Sequence, residues 1–182
     1  MIDCESTCFG SQPKPALANI VLIGMMGCGK TTIGELISQK SGMAFVDTDA
    51  LIENKEKVSI SDIFEHLGET YFREREAEAA QTAAKYTNLV IATGGGMVLN
   101  PKSMDLLSEY GFVVYLECEA LLLHQRLSGI SNRPLLYKLD ELLEQRKVLY
   151  EKYSNFTADG EIEPDKLAEM ILHEYNCNYK RA

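Results

Sequence analysis

Residues 24–31 read Gly24-Met25-Met26-Gly27-Cys28-Gly29-Lys30-Thr31 and fit the pattern GxxxxGK(S/T). The apolar run IVLI leads into them. Behind them Ile33, Leu36 and Ile37 follow the i, i+3, i+4 spacing of a helix with one buried face. A strand, a glycine-rich turn and a helix in this order make a phosphate cradle. The glycines let the turn curl so that backbone N–H groups point inward, and the helix N-terminus adds positive potential. Lys30 then reaches the outer phosphates, and the Thr31 hydroxyl stands where a Mg²⁺ ion would be bound. The stretch predicts binding of a nucleoside triphosphate with Mg²⁺. A plain strand-to-helix turn with an exposed lysine is the bland alternative, and the elements on either side speak against it. No GxGxxG is present, so a dinucleotide reading has little support.

Outward from this loop, apolar β-type runs at 19–23, 44–48, 89–93, 112–117 and, more weakly, 155–158 alternate with helical stretches. The spacing predicts helices over 31–40, 59–86 with a break near Gly68, 102–110, 119–127, 139–153 and 165–175. Ser59 and Asp62 have the spacing of a capping box, and Pro164 suits a first helical turn. Strands that alternate with helices predict an α/β fold, a parallel sheet covered on both faces.

The chain has 182 residues, 46% hydrophobic and 25% charged, which predicts a single globular domain over 19–182 after a loose tail at 1–18. No apolar run approaches the roughly 20 residues of a membrane helix. The start, MIDCESTCFG, lacks the basic and apolar stretches of a signal peptide. The five cysteines Cys4, Cys8, Cys28, Cys118 and Cys177 contain no CxxC pair and predict reduced thiols, in keeping with a cytoplasmic protein. A net charge of −9 argues against broad binding to nucleic acid and allows a small anionic ligand where the few cations converge.

Three further features bear on an acceptor. In Phe45-Val46-Asp47-Thr48-Asp49 two carboxylates stand at i and i+2 near the carboxyl end of a strand, where ligands bind in open α/β sheets. Either one could instead cap the helix that starts near Ala50. Gly94-Gly95-Gly96 ends the third strand and allows a ligand to approach the backbone closely. Only six arginines exist, at 73, 75, 126, 133, 146 and 181. Arg73 lies in a charged run that reads as a solvated helix face, whereas Arg133 lies in the loop-like Ser131-Asn132-Arg133-Pro134. Cys28, inside the loop beside Lys30, is either a reactive thiol or a small residue that fills a tight turn.

Over nearly all of 19–175 the sequence resembles the shikimate kinases, through GMMGCGKTTIG, FVDTD, IFEHLGETYFREREAE, ATGGGMV, SNRPLL and EQRKVLY in this order. The resemblance implies a P-loop kinase fold with a five-stranded parallel sheet in the order 2-3-1-4-5 and a small lid. It also implies transfer of phosphate from ATP to the 3-hydroxyl of shikimate; a cytoplasmic monomer is expected. Gly27, Cys28, Gly29, Lys30, Thr31, Thr32, Arg126 and Arg133 would bind ATP, with Arg126 stacking on adenine and Arg133 on the lid. Thr31 and Asp47 would hold Mg²⁺. Asp49, Arg73, Gly94, Gly95, Gly96 and Arg146 would bind shikimate, the two arginines at its carboxylate, and Lys30, Asp49 and Arg133 would carry catalysis. Arg133 and Arg146 stand only 13 positions apart, yet the intact Arg133-Pro134-Leu135-Leu136 predicts that the lid closes. The alternatives are a gluconate-type sugar-acid kinase and a catalytically silent binding protein of the same fold.

Overall fold

The computed structural model describes residues 19–128 and 138–179. Strand β1 (Asn19–Ile23) lies at the centre, and all five of its residues are buried. A continuous apolar strand with no polar face can be accommodated only where helices cover both sides of a sheet. Strands β2 (Ala44–Asp47), β3 (Leu89–Ala92), β4 (Gly111–Glu117) and β5 (Phe156–Asp159) complete it. The order is β2-β3-β1-β4-β5 and every pairing is parallel, in register Ile20 with Val90 and Phe112, Phe45 with Val90, and Val114 with Phe156. This is the architecture the sequence predicts.

Because all strands run one way, their carboxyl ends form one rim. The helices are α1 (Lys30–Ser41), α2 (Thr48–Glu56), α3 (Ile60–His66), α4 (Gly68–Ala83), α5 (Pro101–Glu109), α6 (Ala120–Leu127), α7 (Leu139–Tyr153) and α8 (Pro164–Tyr179). Helix α1 ends at Gly42, whose left-handed backbone closes the last turn on the Ser38 carbonyl. The Ser59–Asp62 capping box opens α3 as predicted. The break near Gly68 separates α3 from α4.

Most boundaries shift by one to four residues from the sequence reading: β3 stops at Ala92, β4 starts at Gly111, β5 runs Phe156–Asp159 and α4 ends at Ala83 rather than near 86. The second strand stops at Asp47 rather than 48, because the Asp47 side chain accepts from the backbone of Asp49 and Ala50 and starts α2 there. The last helix begins at Pro164 and continues past 175 to Tyr179. The main core gathers around the sheet, from Ile20 and Leu22 to Tyr115, Tyr150 and Ile171. A smaller cluster of Ile52, Ile63, Phe72 and Ala79 joins α2, α3 and α4 beside the β2 edge. No helix among the described residues is long and apolar enough to cross a membrane. The expected tail 1–18 and residues 129–137, with Arg133 and the expected lid, lie outside the described residues.

Candidate functional site

Three bare Cα atoms mark the centre of the rim. Gly94 faces the carboxylates of Asp49 and Glu76, and a Cβ there would come within 2.6 Å of Asp49 Oδ1 and 2.7 Å of Glu76 Oε1. Gly95 faces the glycine-rich loop, at 3.2 Å from Met26 N on the same construction, and Gly96 lies under the Arg73 guanidinium. Any side chain on this turn would displace a charged group or the loop backbone. The turn that the sequence offers for close approach is thus the place where the two sides of the site meet.

On one side stands the loop. Gly24, Gly27 and Gly29 have φ of 143°, 81° and 101°, values that residues with a Cβ rarely adopt. Lys30 is only 8% exposed, and its Nζ donates to the carbonyls of Gly24 at 2.9 Å and Met25 at 2.7 Å, with Cys28 Sγ at 3.5 Å. Lys30 therefore lies folded into its own loop, which speaks against the bland reading of a turn with an exposed lysine. Cys28 is 2% exposed and fills the turn, the plainer of its two readings. Thr32 is exposed on the first turn of α1.

The Thr31 hydroxyl donates to Asp47 Oδ2 at 2.8 Å, while Asp47 Oδ1 accepts from the amides of Asp49 and Ala50 at 2.9 and 3.4 Å. One oxygen of Asp47 reaches the loop and the other caps a helix. Asp49 then lies in the first turn of α2 and not on the strand, so the i, i+2 argument for two carboxylates on one face of a sheet does not hold. Both nevertheless reach the rim. The hydroxyl and carboxylate oxygens of Thr31 and Asp47 are hard donors of the kind that suits Mg²⁺ beside a polyphosphate.

On the other side are charged groups taken out of water. Arg73 donates from Nη1 to Glu76 Oε2 at 2.7 Å and from Nη2 to Glu69 Oε1 at 2.9 Å, and packs over Phe72 at 5.3 Å. Its side chain is 22% exposed, so the charged run is not a solvated face at this position. Glu76 is 1% exposed, and burial pushes its carboxyl above the usual carboxylate range despite the pull of Arg73 and Arg146. Arg146 is 3% exposed and donates to the Gly95 carbonyl at 3.2 Å. One helical turn on, Tyr150 donates to the same carbonyl at 2.6 Å, and its ring stacks on Tyr115 at 5.0 Å. Burial keeps the Tyr150 phenol protonated for that bond. Glu76 Oε1 and Arg146 Nε are buried without a hydrogen-bond partner among the described residues.

Arg126 does not stack on an aromatic ring among the described residues. Its guanidinium lies on backbone, donating to the Gly27, Cys28 and Gly160 carbonyls at 3.4, 3.3 and 3.1 Å. Arg133 lies outside the described residues.

Glu76 and Tyr150 escaped the sequence reading, although a signal existed. The buried positions of α4 are Phe72, Glu76, Ala79, Ala80 and Ala83, and those of α7 are Leu139, Arg146 and Tyr150. Glu76 and Arg146 thus occupy apolar-stripe positions of their helices, where a charge is retained only if something pairs with it.

The family model for shikimate kinase matches residues 26–176. A shikimate kinase of Thermodesulfovibrio yellowstonii is 41% identical over 166 residues, 87% of this chain and 95% of that one. The structure of the Acinetobacter baumannii shikimate kinase in complex with shikimate superposes with a TM-score of 0.85 at 37% identity, covering 89% of this chain and 94% of that one. A gluconokinase from Sinorhizobium meliloti, at 19% identity and a TM-score of 0.60 over 93% of this chain and 97% of its own, shares the fold alone. With a family model that covers most of its length and relatives of near 40% identity, this chain belongs to the shikimate kinase family.

Proposed function

We propose that the protein is a shikimate kinase that transfers the outer phosphoryl group of ATP to the 3-hydroxyl of shikimate. The observation that carries this reading is the pair of unmet buried atoms on the acceptor side. Arg146 Nε is a donor in need of an acceptor, and Glu76 Oε1 is an acceptor in need of a donor. A small hydroxylated carboxylic acid supplies both, with its carboxylate toward Arg146 and Arg73 and a hydroxyl toward Glu76 or Asp49. Two guanidinium groups, each able to pair with a carboxylate through parallel N–H bonds, account for the hold of an acidic protein on an anion.

In this reading Asp49 accepts the hydrogen bond of the attacking hydroxyl and aims its oxygen at the phosphate. Gly94, Gly95 and Gly96 let the sugar-like ring lie against backbone. Lys30 leaves its carbonyl partners to meet the outer phosphate oxygens, and the amides of Gly27, Cys28, Gly29, Thr31 and Thr32 complete the cradle. Thr31 and Asp47 would hold Mg²⁺, which when bound screens the charge of the outer phosphates. Arg126 borders the base, and the resemblance assigns Arg133 to the lid. Rate acceleration then comes from alignment and charge stabilisation more than from proton transfer. We further assign a cytoplasmic monomer.

The test is ATP turnover measured with shikimate, with gluconate and with no acceptor. Turnover is expected with shikimate only. Equal rates with gluconate would indicate a sugar-acid kinase, and no turnover with any acceptor would indicate a silent relative.

A further inference from the structure

The carbonyls of the glycine-rich loop are served from two directions. A loop that turns its N–H groups inward to phosphate turns carbonyls elsewhere, and each of these needs a donor. Lys30 serves Gly24 and Met25. Arg126, from the end of α6, serves Gly27 and Cys28 with one nitrogen, Nη1, and Gly160 with the other, Nη2. Gly160 is itself fixed, because its amide donates to the Glu117 carbonyl at 2.7 Å and its Cα packs against Cys118 Sγ. The Cys118 thiol, pushed up to about 12 by burial and so protonated, lies 3.7 Å from the Cys28 carbonyl and 3.8 Å from Arg126 Nη1. The residue after Arg126 adds to the same contact, since Leu127 fills the space against the Cα of Gly27.

We infer that Arg126 is a positioning residue for the phosphate-binding loop, its planar fork tying the Gly27 and Cys28 carbonyls to the β5–α8 turn and holding the loop in shape before nucleotide arrives. This deepens the kinase reading and goes beyond a contact with the base. A guanidinium suits the task because two of its nitrogens point at separate carbonyls from one rigid plane, which an ammonium at the end of a flexible stem does not reproduce.

The consequence is a ligand preference that stacking on adenine would not give. Inorganic tripolyphosphate has no base, so a residue that only borders the base does not affect its binding, whereas a residue that shapes the cradle does. Dissociation constants of ATP and of tripolyphosphate are measured for the wild type, Arg126→Lys and Arg126→Met, together with amide exchange of residues 27–29 in the ligand-free proteins. Both variants are expected to lose about tenfold for each ligand, as for loss of charged hydrogen bonds, with faster exchange in the loop and unchanged shikimate affinity. Unchanged tripolyphosphate binding in both variants overturns the inference, as does full recovery by Arg126→Lys, which would leave only a charge effect. Equal loss of shikimate affinity would indicate general unfolding and overturns it as well. Failure of the kinase reading would appear separately, as absence of wild-type turnover with shikimate.

Discussion

The glycine-rich loop is held by cations whose charge is spent on backbone carbonyls, whereas on the acceptor side buried charges pair with one another or reach the Gly95 carbonyl. Around the loop, Lys30 and Arg126 bind the carbonyls of Gly24, Met25, Gly27 and Cys28. At the acceptor, Arg73 pairs with Glu76 and Glu69, Arg146 reaches Gly95, and Glu76 Oε1 and Arg146 Nε have no hydrogen-bond partner among the described residues. In the first arrangement the Lys30 ammonium already has carbonyl partners, so a phosphate must exchange those bonds for its own. The second is incomplete, and each unmet buried group costs about 1–3 kcal/mol until something binds it. A ligand there removes a penalty that the fold already carries.

The largest expected effect breaks the nucleotide side. Lys30→Ala removes a positioned charge contact and should lower kcat about a hundredfold or more. Far-UV circular dichroism should be unchanged, because the cores around the sheet and beside β2 do not depend on this side chain. A kcat near the wild type would show that the loop does not act on the transferred phosphate.

Next in size are the acceptor cations. Arg146→Ala and Arg73→Ala should each weaken shikimate binding by about tenfold to a hundredfold, as for loss of a charge-assisted pair. Calorimetric titration should find ATP affinity within about twofold of the wild type, since neither residue touches the loop carbonyls. The loss should be greater for Arg146, which is 3% exposed and cannot be replaced by water as readily as the half-buried Arg73. Equal losses for both ligands would erase the distinction between the two sides.

These two sides were not equally legible in the sequence. The loop is a local pattern, and the strand, turn and helix that give it meaning are consecutive in the chain. Asp47 was harder, because a carboxylate after a strand has the same spacing whether it caps a helix or faces a ligand, and here it does both through different oxygens. Glu76 was hidden in a run of alternating charges. Only the 3.6-residue period of α4 separates it from its solvated neighbours Glu74 and Glu78, and burial of a charge is decided by what packs opposite, which local sequence does not contain.

The smallest effect sharpens the comparison through pH. Burial raises the Glu76 carboxyl above its unfolded value, so the fold favours its protonated form. That contribution to stability is complete below the unfolded pKa of about 4.3 and is lost as pH rises through the folded value. Glu76→Gln removes the loss, so the melting temperature of the variant relative to wild type should be higher at pH 7 than at pH 4. Its KM for shikimate should rise several-fold, about 1 kcal/mol for a slackened Arg73, with kcat less affected. An identical melting difference at both pH values would mean that pairing with Arg73 and Arg146 fully offsets the cost of burial.

Asp47 has a consequence of a different kind. Its carboxylate joins the first residue after the loop lysine to the amide of Asp49, so the nucleotide and acceptor sides share a single side chain as hinge. Any ligand that draws Thr31 or Asp47 toward itself also shifts the start of α2 and with it the Asp49 carboxylate. In the proposed reading the two substrates are expected to alter each other's affinity. Whatever factor the nucleotide imposes on the affinity for the acceptor, the acceptor must impose on the affinity for the nucleotide, because both act on one thermodynamic cycle.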